Sequence, residues 1–341
     1  GVISFNSARP VPETGGYFQL GMGSYGGLNA EGAFNTALSD GVMLRFSGLH
    51  QRRDDYVDNV LNGPGDDLEG YRESAFRLQA LVENGDGFEM LANVHMRQLE
   101  GTARLFRASI IAPGTNDLAP GFRRDQVSID GRNEQDLDQA GANLRMRWDL
   151  GSLTLYSITG VESVEAYSRG DIDGGSVYTF PPDEPGESLF PAESADGLPN
   201  HKQITQELRL ESNEWGRFDW QAGLFWFDES IDVDSFSYDG FGGPRNGYAI
   251  QRQDNTAWAV YASGEFEATE RLTLRAGLRY TDDKKEFVAQ RILGPFGPPI
   301  APIAVNSSRA ILYASADMDF ASAARAEAIR TRATLQQAAA A

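Results

Sequence analysis

The sequence predicts an all-β protein built as an antiparallel meander of about 11–12 strands. Apolar and polar residues alternate with a period of two through most of the chain, and short and long connections follow one another in turn. Glycine is frequent, at 37 of 341 residues, as expected where many strands are joined by turns. Because side chains of a strand point to opposite faces, each alternating segment has one apolar and one polar face.

The segment QELRLESNEWGRFDWQAGLFWFDES, residues 206–230, shows this pattern most clearly. Leucines alternate with charged residues from Leu208 to Glu211, a polar turn follows, and aromatic residues then alternate with polar ones from Phe218. This pattern predicts an antiparallel hairpin. A soluble sandwich would bury the apolar face against a second sheet, whereas a membrane barrel would turn it toward lipid. The hairpin alone does not decide between the two.

The predicted strands follow one another along the whole chain. They lie near 16–25, 28–38, 42–53, 71–82, 88–99, 139–149, 152–167, 203–212, 218–229, 255–267, 271–287 and 308–318. The tight connections are 39–41, 83–87, 149–151, 213–217 and 268–270, and the long ones are 54–70, 100–138, 168–202, 230–254 and 288–307. Short turns at one end and long loops at the other are typical of an outer-membrane barrel.

The two faces of the strands favour the same interpretation. One face carries apolar residues such as Phe76, Leu78 and Val94, and the other carries residues such as Arg77 and Arg97. A wide, wet lumen accommodates such charged rows at low cost. Aromatic residues near strand ends form a candidate interfacial girdle. They are Tyr17, Tyr25, Tyr71, Trp148, Trp220 and Tyr280.

The composition excludes several classes of protein. The formal charge of −19 argues against a protein that binds nucleic-acid phosphates. The absence of cysteine excludes disulfide scaffolds, thiolate catalysis and cysteine-ligated zinc. No apolar run is long enough to predict a transmembrane helix, although barrel strands give a much weaker signal. Because the sequence has neither an initiator methionine nor a signal peptide, we expect it to be an excerpt of a longer protein.

Several segments, in the expected order, resemble the barrel of TonB-dependent outer-membrane receptors. They are GVISFNSARP at 1–10, the stretch at 15–59 with its GSYG turn and RRDDY exit, SITGVESVEAYSRGDIDG at 157–174, TQELRLES at 205–212, WQAGLFWF at 220–227 and LRAGLRYTDDKKEF at 274–287. The resemblance covers about 1–290 and implies a 22-stranded barrel closed by an N-terminal plug domain. It assigns 1–10 to the end of the plug and 11–320 to a partial barrel. Residues 321–341 form an Ala-rich tail that favours helix and does not resemble the family.

The same resemblance implies energised uptake of a scarce ligand, most often a ferric siderophore, in the outer membrane of a Gram-negative bacterium. The expected partners are outer-membrane lipid, a small ligand such as an iron chelate and, in the full-length protein, the TonB complex, whose contact segment is absent here. No cofactor and no enzymatic activity are expected. We expect a truncated or frame-shifted copy of such a receptor. A passive porin-like channel and a soluble carbohydrate-binding β protein remain the alternatives.

Aromatic and arginine residues of the long loops are the candidate ligand-binding residues. Aromatic faces and guanidinium groups suit a planar, anionic chelate. Roles in the girdle or in loop packing are equally compatible with each of these residues. The candidates are Tyr178, Phe180, Phe236, Tyr238, Phe241, Arg245 and Tyr248.

No metal site and no catalytic group are predicted. The acidic residues of the long loops lack the spacing of a calcium-binding loop, so solvated loop charge is expected for them. Glu207, Glu211 and Asp219 lie near Arg209, which favours salt bridges on the lumen wall over an acid–base pair. The three histidines, His50, His95 and His201, lie on separate elements. The acidic loop residues are Asp54, Asp55, Asp58, Asp66, Asp67, Glu69, Asp171 and Asp173.

Overall fold

A computed structural model describes residues 6–61, 67–213, 215–238, 245–293 and Ile329. The strands in chain order are β1 (Gly15–Met22), β2 (Leu28–Ser39), β3 (Val42–Arg53), β4 (Asp58–Asn59), β5 (Tyr71–Glu83), β6 (Phe88–Gly101), β7 (Gln126–Val127), β8 (Glu134–Asp149), β9 (Leu153–Asp171), β10 (Val177–Tyr178), β11 (Glu187–Ser188), β12 (Glu193–Ser212), β13 (Phe218–Tyr238), β14 (Arg245–Thr269) and β15 (Leu272–Leu293).

Eleven of these strands form one antiparallel sheet in which every strand pairs with its neighbours in the chain. The order is β1-β2-β3-β5-β6-β8-β9-β12-β13-β14-β15. The predicted all-β meander is therefore confirmed. The predicted strand at 308–318 and the predicted helical tail lie outside the described residues, except that Ile329 is helical and exposed.

Tight turns connect the strands at one end of the sheet. Two of these turns depend on a glycine. Gly41 between β2 and β3 has φ +85°, and Gly151 between β8 and β9 has φ +84°. Residues with a Cβ rarely adopt this left-handed conformation. We call this the turn end and the opposite end the loop end. At the loop end the connections are long: 24 residues separate β6 from β7. Four short strands there form two parallel pairs, β4 with β7 and β10 with β11.

An apolar belt covers one face of the sheet next to the turn end. Belt side chains are exposed although they are apolar: Phe76 at 46%, Val94 at 51% and Leu224 at 54%. The register continues the belt across neighbouring strands, since Val94 stands opposite Leu78 and Leu224 opposite Val260. An exposed apolar surface of this extent marks a site of contact with a membrane or with another protein. We call this side the outer face and the opposite, charged side the inner face.

Toward the loop end the outer face becomes polar. On β13 the alternate positions run from Leu224 and Trp226 to Asp228, and on β14 they run from Trp258 to Thr256 and Asp254. About 9–11 residues of a tilted strand cross the hydrocarbon layer. Because β13 has 21 residues and β14 has 25, roughly half of each strand projects beyond the membrane.

The strand ends at the loop side differ from the predicted ones. Large parts of the predicted loops at 168–202 and 230–254 belong instead to β9, β12, β13 and β14. In these parts the alternation no longer follows that of the membrane part: on β13, Ile231 and Val233 are apolar at inner-face positions, whereas Asp232 and Asp234 are polar at outer-face positions. Pairing there rests on the backbone ladder, which continues in register from β13 to β14 up to Ser237 and Gly247.

A loop assembly with a small core of its own lies at the loop end. Val57, Leu68, Val127 and Ile129 are buried and pack together. The buried amide of Asn59 holds this assembly: its Nδ2 donates to the Ile129 carbonyl at 2.9 Å, and its Oδ1 accepts from the Ile129 N–H at 3.2 Å. The loops are thus folded rather than loose. Within the described part of the chain, helices long and apolar enough to cross a membrane are absent.

Candidate ligand and loop sites

Ion pairs line the inner face of the sheet, as predicted from its charged rows. Arg97 Nε lies 2.7 Å from Glu73 Oε1, and His95 Nε2 lies 3.2 Å from Glu162 Oε2. These groups keep partial contact with solvent: the Arg97 side chain is 42% exposed. A wet surface of this kind can hold polar ligands or a second protein layer without burying unpaired charge.

The predicted salt bridges of Glu207 and Glu211 are present, whereas the third carboxylate of that prediction, Asp219, forms no ion pair among the described residues. Arg209 Nε lies 2.8 Å from Glu211 Oε1, and Arg209 Nη1 lies 3.5 Å from Glu207 Oε1. The hydroxyl of Tyr261 on β14 donates to Glu207 Oε1 at 2.5 Å. Glu207 and Glu211 therefore neutralise Arg209, and the arrangement lacks the free facing carboxylates of a glycosidase.

The N-terminal segment 6–14 reaches the inner face. Arg9 Nη2 lies 2.7 Å from Glu89 Oε1 on β6, and Arg77 on β5 donates to Ser7 Oγ. Pro10 is buried where the segment turns toward β1. The chain therefore approaches the sheet from its inner, charged side.

Four of the predicted ligand-binding residues come together at the loop end of β13 and β14. The register sets Tyr238 opposite Arg245 and Phe236 opposite Tyr248. The Arg245 guanidinium carbon lies 5.1 Å from the centroids of both the Phe236 and the Tyr248 rings, and Arg245 is exposed. A guanidinium held between aromatic faces can contact an anionic, planar group.

Strand parity decides on which side of the wall the aromatic–arginine group lies, that is, the group of Phe236, Tyr238, Arg245 and Tyr248. Phe236 has the same strand parity as Trp226 of the outer face, and the β13–β14 register shows no shift between them. The group therefore lies on the outer side of the wall, beyond the membrane. These residues lie in strands where the sequence predicted a loop, because β13 and β14 continue beyond their predicted ends.

Two further residues, outside the predicted set, contact this group. The Arg169 guanidinium carbon lies 3.7 Å from the centroid of the Tyr238 ring, and the hydroxyls of Tyr167 and Tyr238 are 3.2 Å apart. Arg169 also pairs with Glu193, with 2.6 Å between Nε and Oε1. Tyr167 and Arg169 are two positions apart on β9 and so point to the same face. Arg169 lies beyond residue 167, where the predicted strand ends.

The remaining predicted ligand-binding residues are elsewhere. Tyr178 lies in the loop assembly, where its hydroxyl donates to Asp130 Oδ2 at 2.8 Å. Phe180 is 87% exposed. Phe241 lies outside the described residues.

Asp171 and Asp173 contradict the expectation of solvated loop charge. Asp171 is 1% exposed, and its carboxylate accepts from the backbone N–H groups of Gly131 and Gly174, each at 2.8 Å. Asp173 accepts from the backbone of Gly175 at 3.0 Å and of Ala192 at 2.6 Å. The carboxylates organise the loop backbone instead of facing solvent.

Burial shifts the titration of these loop groups, which lie beyond the membrane-spanning part of the sheet. Desolvation raises the pKa of Asp171 to about 6, and the neighbouring charges of Asp173 and Asp130 add to the effect. Desolvation also raises the pKa of Asp173. The pKa of Tyr178 is raised by burial and then by its hydrogen bond to Asp130. Hydrogen bonds from the backbone N–H groups of Gly131 and Gly174 lower the pKa of Asp171, but they offset only part of the increase that burial causes.

The histidines lie on separate elements, as predicted. His50 Nδ1 lies 2.9 Å from Ser74 Oγ, and His201 Nε2 lies 3.1 Å from Glu229 Oε1.

Among the described residues, a single set of three side chains has the mutual distances of a metal site: Asp130, Asp171 and Asp173.

Short similarities to curated proteins exist, and they are confined to about 40 residues. Orotidine 5'-phosphate decarboxylase of Polaromonas naphthalenivorans is 70% identical over 40 residues, and that of Verminephrobacter eiseniae is 71% identical over 38 residues. These stretches cover 12% and 11% of this chain and 14% of each decarboxylase. A match to so small a part of an enzyme carries no argument for its activity.

Solved structures match nearly the whole fold. The ferric yersiniabactin uptake receptor FyuA from Yersinia pestis aligns with TM-score 0.68 and 15% identity, covering 88% of this chain and 43% of that one. The ferric-catecholate import receptor Fiu from E. coli K12 aligns with TM-score 0.62 and 15% identity, covering 88% and 46%. The chain thus spans less than half the length of these receptors, and at this identity the likeness shows the fold.

A family model settles the assignment. The model of the TonB dependent receptor-like β-barrel matches residues 102–310, more than half of the chain. Membership places the chain in the outer membrane and excludes the soluble carbohydrate-binding alternative. The eleven-stranded meander, its apolar outer belt and its ion-paired inner face agree with this result. The chain therefore belongs to the TonB-dependent receptor-like β-barrels, proteins of the outer membrane of Gram-negative bacteria.

Proposed function

We propose that this chain is part of a TonB-energised receptor that takes up a ferric siderophore. The observation that carries the proposal is the course of the N-terminal segment, whose Arg9 pairs with Glu89 on the inner face. A chain that enters its wall strands from the inner side can come from a domain held inside the barrel. A porin-like channel has no such domain, so this contact favours the receptor over the passive channel.

The nature of the ligand is inferred from the structural neighbours and from the loop-end chemistry. FyuA and Fiu are described as receptors for ferric yersiniabactin and ferric catecholates, and FpvA of P. aeruginosa, with TM-score 0.58 and 12% identity, is described in complex with ferric pyoverdines. We assign first contact with the chelate, as it arrives from the medium, to Arg245 and the rings on either side of it, which lie beyond the membrane at the rim of the wall. The guanidinium supplies charge, and Phe236 and Tyr248 supply aromatic surface.

Iron uptake tests the proposal. A Gram-negative strain that lacks its own siderophore receptors, and that produces the protein containing this chain, is supplied with radioactive iron bound to yersiniabactin, catecholates or pyoverdine. Accumulation that disappears when TonB is deleted supports the receptor. Solute entry that continues at the same rate without TonB identifies a passive channel instead.

The contact assigned to Arg245 has a matched control. Arg245→Ala is expected to weaken chelate binding by the full chain in detergent micelles, because it removes the exposed cation between two rings. Arg123→Ala removes an exposed arginine of the loop assembly whose partner is Asp125, and binding should stay unchanged. Equal binding by both variants would remove the aromatic–arginine group from the ligand path.

A further inference from the structure

We propose that Asp130, Asp171 and Asp173, with Glu193 beside them, form a site for a divalent cation, Ca²⁺ in particular, which fastens the loop assembly to the end of the sheet. This site adjoins the aromatic–arginine group through Arg169, which contacts both Tyr238 and Glu193, and it does not depend on which ligand the receptor takes up.

The geometry brings together carboxylates from different parts of the chain. One carboxylate oxygen from each of Asp130, Asp171 and Asp173 lies within 4.8 Å of the other two. Asp130 belongs to the long connection before β8, Asp171 ends β9, and Asp173 follows it. A single ion at their centre would therefore link two loops and a strand end.

Glu193 gives an independent indication that a partner is missing beside the cluster. Its side chain is 1% exposed, and Oε1 accepts from Arg169 Nε at 2.6 Å and from the Arg132 N–H at 3.0 Å. Its second oxygen, Oε2, is buried without any hydrogen-bond partner. A buried carboxylate oxygen in this state is costly unless a proton or a cation reaches it.

The Glu193 carboxylate borders the same space as the cluster. The β9–β12 register sets Glu193 directly opposite Asp171 on one face of the sheet. A Cβ placed on Gly131 would lie 3.0 Å from Asp171 Oδ2 and 3.2 Å from the Glu193 carboxyl carbon. The absence of a side chain at Gly131 therefore lets the two carboxylates converge on one small volume.

The four carboxylates have few charged partners. Among the residues that the structure describes, their one ion pair joins Glu193 to the buried guanidinium of Arg169. Asp130 Oδ1 is likewise buried without a hydrogen-bond partner. Backbone N–H groups stabilise Asp171 and Asp173 but carry no full charge. A divalent ion would neutralise the surplus and bind the two unpartnered oxygens.

The donor set selects the kind of ion. All the side-chain donors are carboxylate oxygens, which suit hard cations and not the transition metals that prefer imidazole or thiolate. Ca²⁺ accepts irregular sets of about 6–8 oxygens, whereas Mg²⁺ requires a near-ideal octahedron and retains its waters. Sites in extracellular modules bind Ca²⁺ with dissociation constants on the order of 10⁻⁴–10⁻³ M.

Terbium luminescence provides the test, because Tb³⁺ replaces Ca²⁺ and is excited through a nearby tyrosine. The Tyr178 hydroxyl lies 2.8 Å from Asp130 Oδ2, close enough to sensitise an ion in the cluster. The full chain, folded in detergent micelles, is titrated with Tb³⁺ and then with Ca²⁺. We expect saturable luminescence with one ion per chain that Ca²⁺ displaces.

Two variants decide whether the signal comes from this site. Asp130→Asn keeps the shape of the side chain, and it should weaken binding by roughly tenfold or more because one carboxylate ligand is lost. Asp117→Asn changes an exposed carboxylate of the same loop and should leave binding unchanged. Binding that Asp130→Asn does not weaken, or luminescence that never saturates, would overturn the proposal.

Discussion

The membrane-spanning part of the sheet and the loop assembly above it use charged residues in opposite ways. On the inner face of the sheet, ion pairs stay in contact with solvent, as Arg97 does at 42% exposure. Where the loop assembly meets the end of the sheet, Asp171 and the side chain of Glu193 are each 1% exposed. Solvated pairs contribute little to stability, whereas breaking a buried pair leaves an uncompensated charge. Substitutions in the two regions should therefore differ sharply in effect.

The largest effect is expected at Arg169. Arg169→Met removes the guanidinium that pairs with Glu193 and lies over Tyr238, and it should destabilise the loop assembly by about 3–5 kcal/mol. Limited proteolysis of the full chain in detergent should then cut the loops much faster. The matched control is Arg123→Met, which breaks the exposed pair with Asp125 and should change the cleavage rate little. Equal cleavage of the two variants would show that burial does not distinguish the pairs.

A charge placed on the outer belt should have the next largest effect. Leu144 is near the middle of the belt on β8, and its neighbour Asn143 points to the inner face. Leu144→Arg should destabilise the membrane-inserted sheet by about 2–4 kcal/mol, because it places a charge in lipid. Asn143→Arg should be tolerated in the wet interior. Urea unfolding in lipid vesicles measures both, and a similar loss for both would contradict the assignment of faces.

The buried Asp171 gives the loop assembly a pH dependence. Its folded pKa is raised to about 6 from 3.8, so between these values the folded state binds more protons than the unfolded state. Without divalent cations the stability of the loop assembly should therefore fall as pH rises from 4 to 6.

Proteolysis in EDTA across this pH range measures the effect, and Asp171→Asn should flatten the profile. Excess Ca²⁺ should reverse the trend, because protons then compete with the bound ion. A profile in EDTA that shows greater resistance at pH 7 than at pH 5 would contradict the raised pKa of Asp171.

The smallest effect is expected on the inner face. Tyr261→Phe removes the hydroxyl that donates to Glu207, which also contacts Arg209. Loss of this bond should cost about 0.5–1.5 kcal/mol in urea unfolding, because water and Arg209 can still solvate the carboxylate. A loss as large as that of Arg169→Met would mean that this face is dry.

The sequence predicts the membrane part of the fold well because lipid and water impose the signal there. The predicted strands at 42–53 and 218–229 start where the structure starts them, since each begins next to a tight turn. The later ends are missed: β13 continues to Tyr238, because its outer-face positions from Asp228 to Asp234 are polar and do not continue the apolar pattern of the membrane part. Only the pairing of distant segments reveals that they are strand.

The loop sites were less predictable for a related reason. The spacing of Asp171 and Asp173 looks like ordinary loop charge, and their burial depends on contacts with residues 40 positions away, such as Gly131. The grouping of Phe236, Tyr238, Arg245 and Tyr248 requires the register of β13 and β14. Aromatic and arginine content marked these residues as candidates, but the face on which they lie follows only from counting along an uninterrupted strand.

Site-directed spin labelling along β6 tests the central claim most directly, and the lack of native cysteine makes single-cysteine variants straightforward. Labels at Val94, His95, Met96 and Arg97 in lipid vesicles are probed with oxygen, which enriches in lipid, and with a water-soluble nickel complex. The structure predicts that the labels at Val94 and Met96 favour oxygen and that those at His95 and Arg97 favour nickel. Four labels with the same preference would contradict a wall with lipid on one side and water on the other.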